Sequence, residues 1–150
     1  MNTTQTSPLL SGSNLDRAAS HRLRSAVTNK WVELENRRIL LVEDEALQAL
    51  HLAEIILDLG ATVAGIATSV PAALAEISVK KFDCVTLDLN MDGFFTVGIA
   101  KALHDMKIPY VLCTAYGHFV EKVSKAPVVH KPISQDALAE ALVKAMRRSS

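Results

Sequence analysis

The sequence predicts an α/β fold: a doubly wound, five-stranded parallel sheet built as (βα)5 with strand order 2-1-3-4-5, preceded by an N-terminal extension. Three observations predict it. From Arg38 onward, short β-rich apolar runs alternate with longer segments of helical period, the pattern of a parallel sheet with helices on both faces. The runs are apolar throughout instead of alternating, as strands covered on both faces should be. With 150 residues, 49% of them hydrophobic and 21% charged, the chain is long enough to bury one substantial core.

The strand candidates are "RILLVED" (38–44), "ATVAGIA" (61–67), "DCVTLD" (83–88), "PYVLCT" (109–114) and "PVVHK" (127–131). The first helix runs from Ala46 to Leu59 and is closed by Gly60. The second runs from Val70 to Val79, with Val70, Ala73, Leu74 and Ile77 on one face. A third spans Thr96 to Met106, with Ile99, Leu103 and Met106 in register, and a short, weaker one is expected over about 118–124. The last starts at Ser134, an N-cap residue, and runs through Ala137, Leu138, Ala141, Leu142 and Ala145. Its Lys144, Arg147 and Arg148 suit the negative end of the helix dipole.

These elements place a folded domain at 37–148 and an arm at 1–36. Residues 1–14, rich in Ser, Thr and Asn, predict a flexible start, whereas Leu15, Ala19, Leu23, Val27, Trp31 and Leu34 recur at helical spacing and predict an amphipathic helix over 15–35. That stripe either packs on its own domain or links to a longer architecture, or else it serves as a dimerisation or partner-binding helix. Residues 1–38 hold six Lys/Arg against three Asp/Glu, and the remainder ten against thirteen. No stretch gathers a basic stripe with interleaved aromatics, so nucleic acid is not an expected partner. Without a signal peptide or an apolar run of about 18 residues, a cytoplasmic protein that does not enter the membrane is expected. Cys84 and Cys113, each inside an apolar run, are expected as buried free thiols.

The placement of polar residues is more informative. Glu43 and Asp44 end the first strand, Asp88 the third, Thr114 the fourth and Lys131 the fifth, while the second ends in Ile66 and Ala67. In the order 2-1-3-4-5, strands 1 and 3 flank the topological switch point and strand 2 lies at an edge. The polar ends therefore converge on the crevice where such folds bind ligands.

Three chemistries use an Asp placed like Asp88 in "VTLDLNMDG" (85–93). A calcium loop matches Asp88, Asn90, Asp92 and Gly93, but Ile99 stands where the bidentate Glu is needed. A phosphohydrolase of the haloacid-dehalogenase type commonly uses a second Asp two residues on as acid and base; Asn90 stands there, and the nucleophile would belong on the first strand. A phosphoryl acceptor accounts for all five residues. Clustered Glu43, Asp44 and Asp88 call for a divalent cation, and hard oxygen ligands suit Mg²⁺. Lys131 would pair with phosphoryl oxygens, Thr114 would donate to another, and Asp88 would be the nucleophile.

The stretches "ILLVEDE", "VTLDLNMDG", "LCTAYG" and "VVHKP" together resemble the four signatures of response-regulator receiver domains, over about residues 37–148. The resemblance implies a flavodoxin-like fold of the CheY type, with Asp88 as phosphoacceptor in a phosphorelay, supplied by a sensor histidine kinase or phosphotransfer protein. It implies that Asp44 binds Mg²⁺ directly, that Glu43 does so directly or through water, and that the backbone carbonyl of Asn90 is a further ligand. Thr114 and Lys131 would read the phosphoryl group, and a cis peptide bond commonly precedes the proline at Pro132. Such a receiver is not an enzyme in its role, because it catalyses only its own phosphorylation and dephosphorylation. It acts by docking an unknown downstream protein or passing the phosphoryl group on. The alternatives are a small-molecule phosphohydrolase and a phosphate-independent interaction module.

One departure stands out: typical receivers carry Tyr or Phe three residues before the strand-five lysine, where this chain has Val128. The usual aromatic switch cannot operate. Leu112 to Gly117, "LCTAYG", is similar to the motif of the FAT-GUY receivers, which implies a histidine kinase of the alphaproteobacterial type. Tyr116, with the loop to Ala126, becomes the candidate moving element, and homodimerisation would use the arm or the face of strands four and five.

Other residues carry less. Asp92 and Gly93 read as turn formers, and Phe94 and Phe95 either cap the core or form a partner patch. His51, His104, His118 and His130 show no ligand spacing, although His130 stands beside Lys131 and could tune it. "HRLRS" around His21 faintly resembles a histidine-kinase phosphoacceptor box, but Ser25 replaces its Asn and no ATP-binding domain follows. His21 is read as an arm residue with no special role.

Overall fold

The computed structural model describes residues 30–79, 81–116, 120 and 124–150. The chain divides into two units, Met1–Lys30 and Trp31–Ser150, and the second carries the elements below. Most of the helix expected over 15–35, the helix expected over 118–124 apart from Val120 and Ser124, and His21 and His118 lie outside the described residues. Within 30–35 the stripe residues Trp31 and Leu34 pack on the domain, but not from an α-helix. Val32–Leu34 is a single 3-10 turn, and Asn36 enters the left-handed region at φ 60°.

Among the described residues seven strands and four helices follow in chain order: β1 (Arg38–Val42), α1 (Ala46–Asp58), β2 (Thr62–Ala67), α2 (Val70–Val79), β3 (Cys84–Asp88), β4 (Asn90–Met91), β5 (Phe94–Phe95), α3 (Val97–Asp105), β6 (Tyr110–Thr114), β7 (Val128–His130) and α4 (Gln135–Arg148). The main sheet is parallel, with order β2-β1-β3-β6-β7. This is the predicted doubly wound order once the small β4–β5 ladder is counted separately.

Alternate side chains along each central strand enter opposite cores. Ile39 and Leu41 of β1, Cys84 of β3, and Val111 and Cys113 of β6 meet α1 (Leu52, Ile55, Ile56) and α4 (Leu138, Leu142, Ala145). Leu40, Val42, Val85, Leu87 and Leu112 meet α2 and α3 through Ala73, Ile77, Ile99 and Leu103. Each fully buried leucine or isoleucine contributes about 1.5–3 kcal/mol of transfer free energy, so this alternation sets the sheet's register. Cys84 and Cys113 are buried free thiols, each pushed up to about 12 by burial.

The expectation of strands covered on both faces holds for β1, β3 and β6 but not for β2, whose Ile66 is 47% exposed. As an edge strand, β2 has neighbours on one side only. The helix beside it reflects this, with Ala73 and Ile77 buried but Val70 and Leu74 exposed. At the other extreme Leu34, read as part of the arm, is fully buried with the α1–α4 core, and Glu33 of the same turn pairs with Arg147 of α4. Among the described residues no helix is long and apolar enough to cross a membrane.

Helix ends obey local rules. The Ser134 hydroxyl accepts from the Ala137 N–H at 3.3 Å. After α1, Gly60 (φ 81°) donates to the Leu57 carbonyl and Ala61 to that of Ile56, a Schellman closure. The same closure ends α3, but there Lys107 takes the left-handed position at φ 56°.

Candidate functional site

The C-terminal ends of the parallel strands bring the predicted residues together. Ligand oxygens of Glu43, Asp44 and Asp88 all lie within 4.8 Å of one another. Glu43 is fully buried and Asp88 is 4% exposed. Lys131, just past β7, donates to Glu43 Oε2 and to Asp88 Oδ2, each at 3.2 Å. The Lys131–Pro132 peptide bond is cis. Thr114 is buried at the end of β6, and its carbonyl accepts from the Lys131 N–H at 2.9 Å. Asp88 pairs in register with Cys113, so Thr114 lies one step further along the neighbouring strand.

Backbone groups hold the acids. The Asn90 N–H donates to Asp88 Oδ1 at 3.1 Å, and the Glu45 N–H to Glu43 Oε1 at 3.1 Å. The Asp92 N–H donates to Asp44 Oδ2 at 2.7 Å. Asp92 and Gly93, with φ of 52° and 79°, form the two-residue turn between β4 and β5, and Asp-Gly suits such a turn because both positions need positive φ. The turn therefore brings one peptide N–H over the end of β1.

Burial and the adjacent Asp88 push the Glu43 carboxyl up to about 7, despite the Glu45 N–H. Burial works the same way on Asp44, but backbone N–H donors, Asp92 foremost, outweigh it and hold that carboxyl below its ordinary value. For Lys131, burial disfavours the charge, yet Asp88 and Glu43 more than compensate and raise it. Three acids thus face one ammonium, and the site carries more negative charge than its own cation offsets. That imbalance, with oxygen-only donors, fits a divalent metal.

Tyr116 is 61% exposed, and its N–H donates to Thr114 Oγ1 at 2.9 Å. Residues 117–119 and 121–123 of its loop lie outside the described set, as does the side chain of Phe94. Phe95 is 70% exposed and does not cap the core. His51 Nε2 lies 3.3 Å from the Ile133 carbonyl.

Two polar neighbours were not singled out from the sequence. Thr96, at the start of α3, donates its hydroxyl to the Asp88 carbonyl at 2.6 Å, so this N-cap side chain serves the site and not the helix. Gln48, in the first turn of α1, accepts from Lys131 Nζ at 2.5 Å. Neither carries a sequence signal beyond standing four residues after Asp44 or eight after Asp88.

The family model of the response regulator receiver domain matches residues 39–143. The chain belongs to this family, the receivers of two-component signalling. It is 30% identical to the chemotaxis protein CheY of Thermotoga maritima over 115 residues, covering 72% of this chain and 96% of that protein. It is 34% identical to the positive alginate biosynthesis regulatory protein of Pseudomonas aeruginosa over 116 residues, which is 73% of this chain but 47% of the relative, so the match spans about half of that regulator. Among solved structures, SdrG from Sphingomonas melonis superposes with a TM-score of 0.65 at 32% identity, covering 73% of this chain and 96% of SdrG.

Proposed function

We propose that the chain is a phosphoacceptor of a two-component relay, taking a phosphoryl group onto Asp88 from a sensor histidine kinase or phosphotransfer protein, with Mg²⁺ held by Glu43, Asp44, Asp88 and the Asn90 carbonyl. The observation that carries this reading is the triad of carboxylates within 4.8 Å, with the Lys131 ammonium at Asp88 Oδ2.

A cation held by these groups would supply charge neutralisation to the phosphoryl oxygens. The chain's own groups supply the rest. An Asp88 oxygen attacks phosphorus, the phosphorus–nitrogen bond of the donor phosphohistidine breaks, and its electron pair stays on the departing imidazole. Lys131 then exchanges its contact with Asp88 for a phosphoryl oxygen, and the Thr114 hydroxyl donates to another. The Asn90 N–H holds the Asp88 carboxyl in place. The product is a signal carried on the chain, so the role is regulatory and not metabolic.

Membership of the FAT-GUY group is supported by "LCTAYG" and by Val128 in place of the aromatic. In that reading Tyr116 couples to the site through its N–H on Thr114 Oγ1, and it moves when the hydroxyl turns to the phosphoryl group.

The test is intact-mass spectrometry after incubation with acetyl phosphate and Mg²⁺. A single labile adduct of one phosphoryl group is expected, absent from Asp88→Asn and from an EDTA control. A folded chain that takes no phosphoryl group from acetyl phosphate or from phosphorylated histidine kinases would sink the proposal.

A further inference from the structure

We infer that Gln48 is a positioning residue for Lys131; the inference rests on the phosphoacceptor reading above. An ammonium has three N–H donors. Those of Lys131 go to Glu43 Oε2, Asp88 Oδ2 and Gln48 Oε1, the last the shortest at 2.5 Å. Gln48 Nε2 in turn donates to Glu45 Oε2 at 2.6 Å. These two contacts settle the orientation of the amide, because an ammonium can only donate and a carboxylate can only accept.

Local structure explains why Gln48 is available. With Glu45 as N-cap of α1, Gln48 occupies the third helical position, where Gln commonly reaches back to the N-cap N–H. Here that N–H already donates to Glu43 Oε1. The Gln48 carbonyl oxygen is therefore left to span the crevice to a lysine 83 residues away, tying the first turn of α1 to the residue after β7.

The chemistry explains why a neutral acceptor is useful. Glu43 and Asp88 hold the ammonium through charge, and phosphoryl oxygens compete for those same two N–H groups. Gln48 holds the third without adding negative charge that would repel the phosphodonor. It keeps Lys131 aimed at Asp88 while the other two bonds exchange.

The test follows phosphorylation by acetyl phosphate for wild type, Gln48→Met, Lys131→Ala and the double variant, with thermal melts to show that each is folded. Gln48→Met keeps the side-chain length but removes the acceptor. At saturating acetyl phosphate it should phosphorylate about tenfold more slowly, with the Mg²⁺ concentration for half-maximal rate unchanged. The double variant should be no slower than Lys131→Ala, because Gln48 acts through that lysine. A wild-type rate in Gln48→Met, or a loss that adds in full to that of Lys131→Ala, overturns the inference.

A second readout does not depend on phosphoryl transfer. In the unphosphorylated protein, ¹H–¹⁵N spectra of lysine ammonium groups should show Lys131 exchanging with water faster in Gln48→Met than in wild type, where Glu43 and Asp88 alone still hold it in the variant. Equal exchange in both overturns the contact. A wild type that takes no phosphoryl group while its Lys131 ammonium is protected overturns the phosphoacceptor reading and leaves the contact standing.

Discussion

Lys131 Nζ stands 3.2 Å from Asp88 Oδ2 although 43 residues separate them, and the pair joins the ends of two strands that are not neighbours in the sheet. This one cation also serves Glu43, with Asp44 close by, so negative charge is in excess. In metal-free buffer Asp88→Asn should raise the melting midpoint, since it removes one repelling charge and keeps an acceptor for the Asn90 N–H. A gain of about 1 kcal/mol, roughly 4 °C, is expected by calorimetry in EDTA. A lower midpoint would show that the ion pair outweighs the repulsion.

Glu43 gives a pH dependence of definite sign. Its carboxyl sits at about 7 in the folded chain, raised by burial and by Asp88 from an ordinary 4.5. Between those values the folded state binds the proton more readily than the unfolded state. The stability this contributes is fully present below about pH 4.5 and is lost as pH rises through about 7. Urea midpoints in EDTA should therefore carry a component that falls across this window, and Glu43→Gln should remove it. Because the proton competes with the cation, Mg²⁺ affinity should weaken as pH drops below 7.

Thr96 buries its hydroxyl on the Asp88 carbonyl at 2.6 Å. Thr96→Val keeps the shape but takes away the donor, and should cost about 1–2 kcal/mol in urea unfolding. Thr96→Ser should recover most of it. Equal stability of all three would mean that the carbonyl finds another donor.

Lys107 closes α3 in the left-handed region at φ 56°, where the equivalent position after α1 is Gly60. A β-carbon there costs roughly 1 kcal/mol, so Lys107→Gly should stabilise by about that amount. Denaturant unfolding with an unchanged m-value would check it.

The sequence alone carried the element order, because hydrophobic period and turn chemistry are local. Strand runs 38–44 and 83–88 ended on the acids that meet in the crevice, so the order 2-1-3-4-5 sufficed to predict that they converge. The β4–β5 ladder has no signature in the sequence, since two-residue strands have no period, although its Asp-Gly turn is legible. Leu34 looked like one more residue of an arm helix, and its burial follows from contacts with α1 and α4 that no local pattern reports.

What the sequence determined by itself was the kind of site: which acids, which lysine and which hydroxyl stand at strand ends. Tertiary structure alone decided how these groups share protons and partners. The raised Glu43 carboxyl, the diversion of Thr96 from helix cap to Asp88 carbonyl, and the choice of Gln48 as the third acceptor of Lys131 all depend on distances between distant segments. Electrostatic and hydrogen-bond energies change steeply over an ångström, whereas the patterns that build strands and helices tolerate many residues at each position.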